Sequence, residues 1–234
     1  MDSNTIHSIV LQVLRWAHFF FGIAWIGHLY YFNFVQGHAE KALAADQKKI
    51  VVPNFRGRAM WWFRMGAMVT LLTGLAYILY EQLIATDQRF AGWFTTSRGL
   101  WITFGAGLGT IMWFNVWFVI WPRQKVIISA VGGLTAKPGD FDAMVAAAGK
   151  FSRINTYLSV PMLFGMGARQ HFPTTLTATF ISMAVVFVVG FGAAYHVVNG
   201  AASKVGTEFL PPAAPAAAPA APPPAAPPAP PAAQ

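Results

Sequence analysis

Five stretches of this chain run for roughly twenty residues with almost no charge, and no other feature restricts its folding so severely. An apolar helix needs about 20 residues to cross the hydrocarbon core of a bilayer. The stretches are 9–34, 60–83, 100–121, 155–172 and 175–198. The first is interrupted only by Gln12, Arg15, His18, His28 and Asn33, and the fourth carries Pro161, where a kink is expected. Only 10% of the chain is charged, against roughly 25% in a soluble domain, so a water-soluble globule of this size cannot be clothed. The expected fold is an all-α integral membrane bundle of about five transmembrane helices over residues 1–200. A tail over 201–234 follows it.

Between Pro211 and Gln234 every residue but the last is Pro or Ala, eleven of them Pro. Such a segment has no hydrophobic periodicity and is stiffened toward polyproline II, so a disordered, solvated spacer is expected. It would serve as a tether or docking arm, or be a dispensable extension.

Sixteen Lys and Arg face eight Asp and Glu. Eleven of the cations fall in two segments between apolar runs, Lys41–Arg64 and Arg123–Arg153, which reads as loop charge rather than a nucleic-acid surface. The positive-inside rule makes those loops cytoplasmic and the N-terminus external. The C-terminus is then cytoplasmic if all five runs cross, and external if the fourth is re-entrant. Pro122 followed by Arg123 predicts a helix stop. Residues 126–150 read as a loop with an interfacial helix over Phe141–Lys150. The absence of Cys excludes disulfides, thiolate metal sites and covalently attached haem.

Ionisable side chains within apolar runs are costly enough to be functional candidates. Alternating helix directions bring His18 and His171 toward the outer end of the bundle, and His28 and His196 toward the inner end. His18 and His28 are ten residues apart, roughly 15 Å along a helix and about 80° around it, so they cannot share one metal. Imidazoles at two levels of a bundle suit b-type haem held between helices; alternatively each bonds a neighbouring backbone or Tyr. Arg15 and Arg64 stand beside Trp16 and beside Trp61 and Trp62, suited to snorkelling or to binding an anion or a haem propionate. Asn115 and Asn155 could bridge helices. Gly22, Gly27, Gly66, Gly74, Gly105, Gly107 and Gly109 permit close helix approach. There is no P-loop and no HExxH, so nucleotide hydrolysis and zinc proteolysis lack support.

Four blocks carry a resemblance: RWAHFFFGIAWIG (15–27), WWFRMGAMVTLLTG (61–74), GTIMWFNVWFVIWPRQK (109–125) and NTYLSVPMLFGMGARQHFP (155–173). In this order they resemble the N-terminal domain family of membrane-bound urate oxidase (urate hydroxylase). More distantly the chain is similar to haem-binding bacterial protoporphyrinogen oxidase-like membrane proteins. The resemblance implies a multi-helix domain in a bacterial inner membrane, with His18, His171 and His196 as metal-binding residues matching family histidines. It also implies electron transfer to a cytochrome c or other redox subunit. The chain departs from the family pattern near Met60, Thr103 and Ile154, where histidines are replaced, and Pro/Ala repeats stand where a cytochrome c domain would follow.

Three functions are therefore expected of a chain like this: a b-haem-binding electron-transfer subunit, a non-catalytic structural or assembly subunit of a membrane complex, and a urate hydroxylase with a separate electron acceptor.

Overall fold

The computed structural model describes residues 2–86, 89–172 and 175–207, without the side chains of 169–171. The Pro/Ala tail and residues 173–174 of the expected hairpin lie outside the described residues. Among those described there are only helices and turns.

Four helices are long and apolar enough to cross a membrane: α1 (Ser3–Ala42), α2 (Ala45–Ala85), α3 (Ser97–Val131) and α5 (Leu176–Ala201). The fifth, α4 (Phe141–His171), is 31 residues long. Its N-terminal part holds Asp142, Lys150 and Arg153, which dilute the apolar character that its second half shows.

Two boundaries differ from expectation. Phe141–Lys150 is the opening of α4 itself and continues without a break into 155–172, so there is no separate interfacial helix. Arg153 and Asn155 interrupt the apolar pattern there, not the helix. Likewise Pro122 does not end α3, which runs on to Val131. Its ring has no N–H and would crowd the carbonyl four residues earlier in a regular helix. The preceding turn, Asn115–Ile120, is widened into a π turn, which makes room for the ring. Pro53 similarly lies inside a π turn, Val52–Arg56. The end of α3 is set instead by Gly133, whose φ of 79° is left-handed. There Leu134 N–H donates to Ser129 O at 2.9 Å and Gly133 N–H to Ala130 O at 3.2 Å, satisfying two terminal carbonyls.

Successive helices run antiparallel. Gly66 of α2 meets the α1 backbone, where an added Cβ would lie 3.0 Å from Trp25 N and 3.2 Å from Phe21 O. Gly165 of α4 meets Gly105 of α3, its Cβ position 3.3 Å from the Gly105 Cα. Small residues at these two crossings let the helices approach to backbone contact, the main attraction available where lipid is as apolar as the core. Gly27, Gly107 and Gly109 have no such neighbour within 4 Å.

The core gathers Trp25 and Leu29 of α1, Met60 and Phe63 of α2, Met112 and Val116 of α3, and Leu158 and Met162 of α4. Within it Asn115 Nδ2 donates to Asn155 Oδ1 at 2.8 Å, and Asn155 Nδ2 donates to Met112 O at 3.0 Å. The two amides thus bridge α3 and α4 as expected, with Asn155 fully buried.

The two basic segments come together at one end of the bundle. There Arg56 of α2 pairs with Glu40 of α1 and reaches Gln124 Oε1 of α3 at 3.5 Å. The opposite end holds the start of α1, the end of α2 and the start of α3.

Candidate functional site

His18 projects from α1 onto α2. Its Nδ1 lies 2.9 Å from the backbone carbonyl of Thr70. A carbonyl only accepts, so Nδ1 carries a proton, and in the neutral ring that leaves the electron pair on Nε2. The ring rests on Gly74, where a Cβ would come within 2.9 Å of Cε1. Thr70 and Gly74 are one helical turn apart, so one position supplies the orienting acceptor and the next supplies the space.

One turn further out, a chain of polar groups links three helices. Arg15 Nη2 donates to the Tyr77 hydroxyl at 2.5 Å, with the guanidinium 5.3 Å from the ring centroid. The Tyr77 hydroxyl donates to Glu81 Oε1 at 3.4 Å, and Arg98 Nη2 of α3 donates to the same oxygen at 2.6 Å. Glu81 is 6% exposed, and its Oε2 is buried with no hydrogen-bond partner among the described residues. A buried carboxylate is tolerable only with a cation beside it; Arg98 is that cation, with Arg15 joined through the phenol. Nearby, His7 Nδ1 lies 2.8 Å from the Tyr80 hydroxyl, so His7 is engaged rather than simply solvated.

The other candidates are dispersed. His28 Nδ1 donates to Ala24 O of its own helix at 2.6 Å, and its ring borders an open groove between α1 and α2 with Tyr31, Arg58 and Trp62. His196 lies near the end of α5 and is exposed. α1 packs along α2 and touches α4, whereas α5 packs on α3 and α4. His171 is the last residue of α4, and its side chain lies outside the described residues. Arg64 faces α3, its guanidinium 3.9 Å from the Trp121 ring centroid and 5.8 Å from that of Trp117. No group of three or more His, Asp or Glu capable of holding a metal ion occurs among the described residues.

Sequence reasoning picked out His18 and Arg15 but missed Tyr77, Glu81 and Arg98. The spacing of Tyr77 and Glu81, four residues apart, was a usable helical signal. Arg98 joins them only through the packing of α3 on α2. For His18, the backbone bond matches the packing alternative, and it is also what a metal-ligating imidazole requires of its second nitrogen.

The urate oxidase N-terminal family matches residues 75–218. The blocks at 109–125 and 155–173, with His171 and His196, lie within that range, whereas His18 and Arg15 precede it. No curated protein and no solved structure matches the chain, and the wider likeness to haem-binding membrane proteins gains no support. With more than half of its length matched, and with helices fit to cross a bilayer, the chain belongs to the urate oxidase N-terminal family.

Proposed function

We propose that this chain is a membrane redox subunit in which His18 ligates a b-type haem. The observation that carries the proposal is the His18–Thr70 bond, which fixes the tautomer and aims the basic nitrogen away from the carbonyl. A bound haem would supply one-electron redox chemistry, its potential set by axial ligands and surroundings. The chain's own contribution is to hold the imidazole: α2 orients it through Thr70, Gly74 seats it, and the lipid-embedded bundle limits water. His171, which closes α4 at the His18 end of the bundle, is the proposed second ligand, whereas His196 lies toward the opposite end, beside Tyr195 and Asn199, which meet Tyr157. Arg15, with a buried Nε that has no acceptor among the described residues, suits a propionate carboxylate beside the same helix.

Urate hydroxylation with a separate cytochrome c or other redox subunit as electron acceptor is the reaction class that family membership suggests. Both basic segments at one end support a topology with that end cytoplasmic and the His18 end external. The test is a pyridine haemochrome assay on the purified full chain. The proposal expects haem in fixed ratio to protein, lost in His18→Ala and kept in His28→Ala. A haem-free wild-type chain, purified from cells supplied with haem, would contradict it.

A further inference from the structure

Arg64 presents a charge problem that the haem proposal does not solve. It lies on α2 just after Trp61 and Trp62, which are half exposed, and its guanidinium stacks on Trp121 of α3. Lys125, one turn beyond Trp121, places its ammonium 5.8 Å from the same indole centroid. Two cations therefore share one ring at the basic end of the bundle. Neither has a carboxylate within ion-pair distance or a hydrogen-bond acceptor among the described residues. Glu40, a buried acid of that end, is committed to Arg56.

Stacking on an indole contributes about 0.5–2 kcal/mol, which does not neutralise a cation at the edge of hydrocarbon. A second cation over the same ring adds repulsion. An anion at the Trp121 edge that both flexible cations can reach would remove both costs. Further toward the middle of α3, Phe114 and Phe118 stand exposed with ring centroids 4.9 Å apart, an apolar seat beside the cationic pair. A ligand that matches carries a phosphate at the headgroup level and an acyl chain below it.

We infer that Arg64, Trp121 and Lys125 form a binding site for the phosphate of an anionic phospholipid, with the acyl chain along Phe114 and Phe118. Basic pockets between membrane helices recognise such headgroups by charge, each cation contributing about 1 kcal/mol or roughly a fivefold change in affinity. The inference rests on nothing proposed for His18.

Native mass spectrometry of the full chain in neutral detergent, titrated with dioleoyl-phosphatidylglycerol or dioleoyl-phosphatidylcholine, tests it. The expected result is preference for phosphatidylglycerol, weakened about fivefold by Lys125→Gln and about 25-fold by Arg64→Gln with Lys125→Gln. Binding of phosphatidylcholine should change little. Lys125 is exposed, so its variant keeps the fold if Arg64→Gln does not, and Arg64→Lys retains the charge while losing the stacked plane. Equal binding of the two lipids, or Lys125→Gln with unaltered affinity, would overturn the inference. So would displacement of phosphatidylglycerol by millimolar inorganic phosphate, which would mark a soluble anion as the ligand. Loss of haem with unchanged lipid affinity in Arg64→Lys would assign Arg64 to the haem site instead.

Discussion

Replacing Gly74 with Ala sets a methyl group 2.9 Å from His18 Cε1 and 3.0 Å from its Nδ1, closer than real side chains pack, and the next nearest atom is Nε2 of the same ring at 4.0 Å. The imidazole must swing away from α2, and the bond to Thr70 O lengthens or breaks. Overpacking of this kind costs about 1–3 kcal/mol, and the lost hydrogen bond about 0.5–1.5 kcal/mol. Ala recovers about 1 kcal/mol over Gly in a helix interior. The net expectation is a loss of about 0.5–3.5 kcal/mol, a fall in Tm of roughly 1–14 °C for a chain of this length. Thermal unfolding in detergent, read by Trp fluorescence, measures it. The decisive comparison is the same substitution in a His18→Ala background. With the ring gone only the helix-propensity gain remains, so Gly74→Ala should there raise stability by about 1 kcal/mol. An equal loss in both backgrounds would refute the claim that Gly74 exists to seat His18.

Other parts of the bundle make separate predictions. Glu81→Gln keeps an acceptor oxygen for Tyr77 and Arg98 but removes the negative charge that Arg98 pairs with; because Arg98 is half exposed, the expected cost is about 1–2 kcal/mol, checked by thermal unfolding across ionic strength. Asn155→Ala leaves the Asn115 amide and the Met112 carbonyl without their partner, and a loss of about 1–3 kcal/mol is expected, with an Asn115–Asn155 coupling of about 0.6–1.7 kcal/mol in a double-mutant cycle. His28→Ala, whose ring bonds only its own helix, should change stability by less than about 0.5 kcal/mol. At the exposed N-terminus, the Thr5 hydroxyl and amide hold the Asp2 carboxyl below its ordinary value. That cap is fully present above the ordinary aspartate pKa and is lost as pH falls through the depressed one, so hydrogen exchange in the first turn of α1 should quicken only in strong acid.

The existence of the helices was legible because apolar runs of membrane length are an unambiguous signal. Their ends were not, because α1 continues past Asn33 through Gln36 and Glu40 to Ala42, and α2 begins well before Met60. Those extensions are polar and satisfy one another, as Gln36, Glu40 and Arg56 do, and nothing apolar marks them. Pro122 misled for a different reason: a proline stops a regular helix, and no local sequence rule announces that the turn before it will widen. The amide bridge between Asn115 and Asn155 could be suspected from two buried amides in apolar runs, but their pairing depends on the Gly105–Gly165 approach that fixes how α3 and α4 meet. Glu81 escaped notice because it closes an apolar run and looks like a loop acid; its burial comes from α3 folding back to place Arg98 against it. His18 was legible as an anomaly, an imidazole in hydrocarbon, whereas the carbonyl that orients it belongs to another helix.

The most direct test of the central claim removes the imidazole and returns it as a free molecule. In His18→Gly the full chain should purify without the Soret and α bands of the wild type, and added imidazole should restore them at near-wild-type haem stoichiometry. A His18→Gly chain that keeps an unchanged haem spectrum would show that iron binds elsewhere or that His18 serves packing alone.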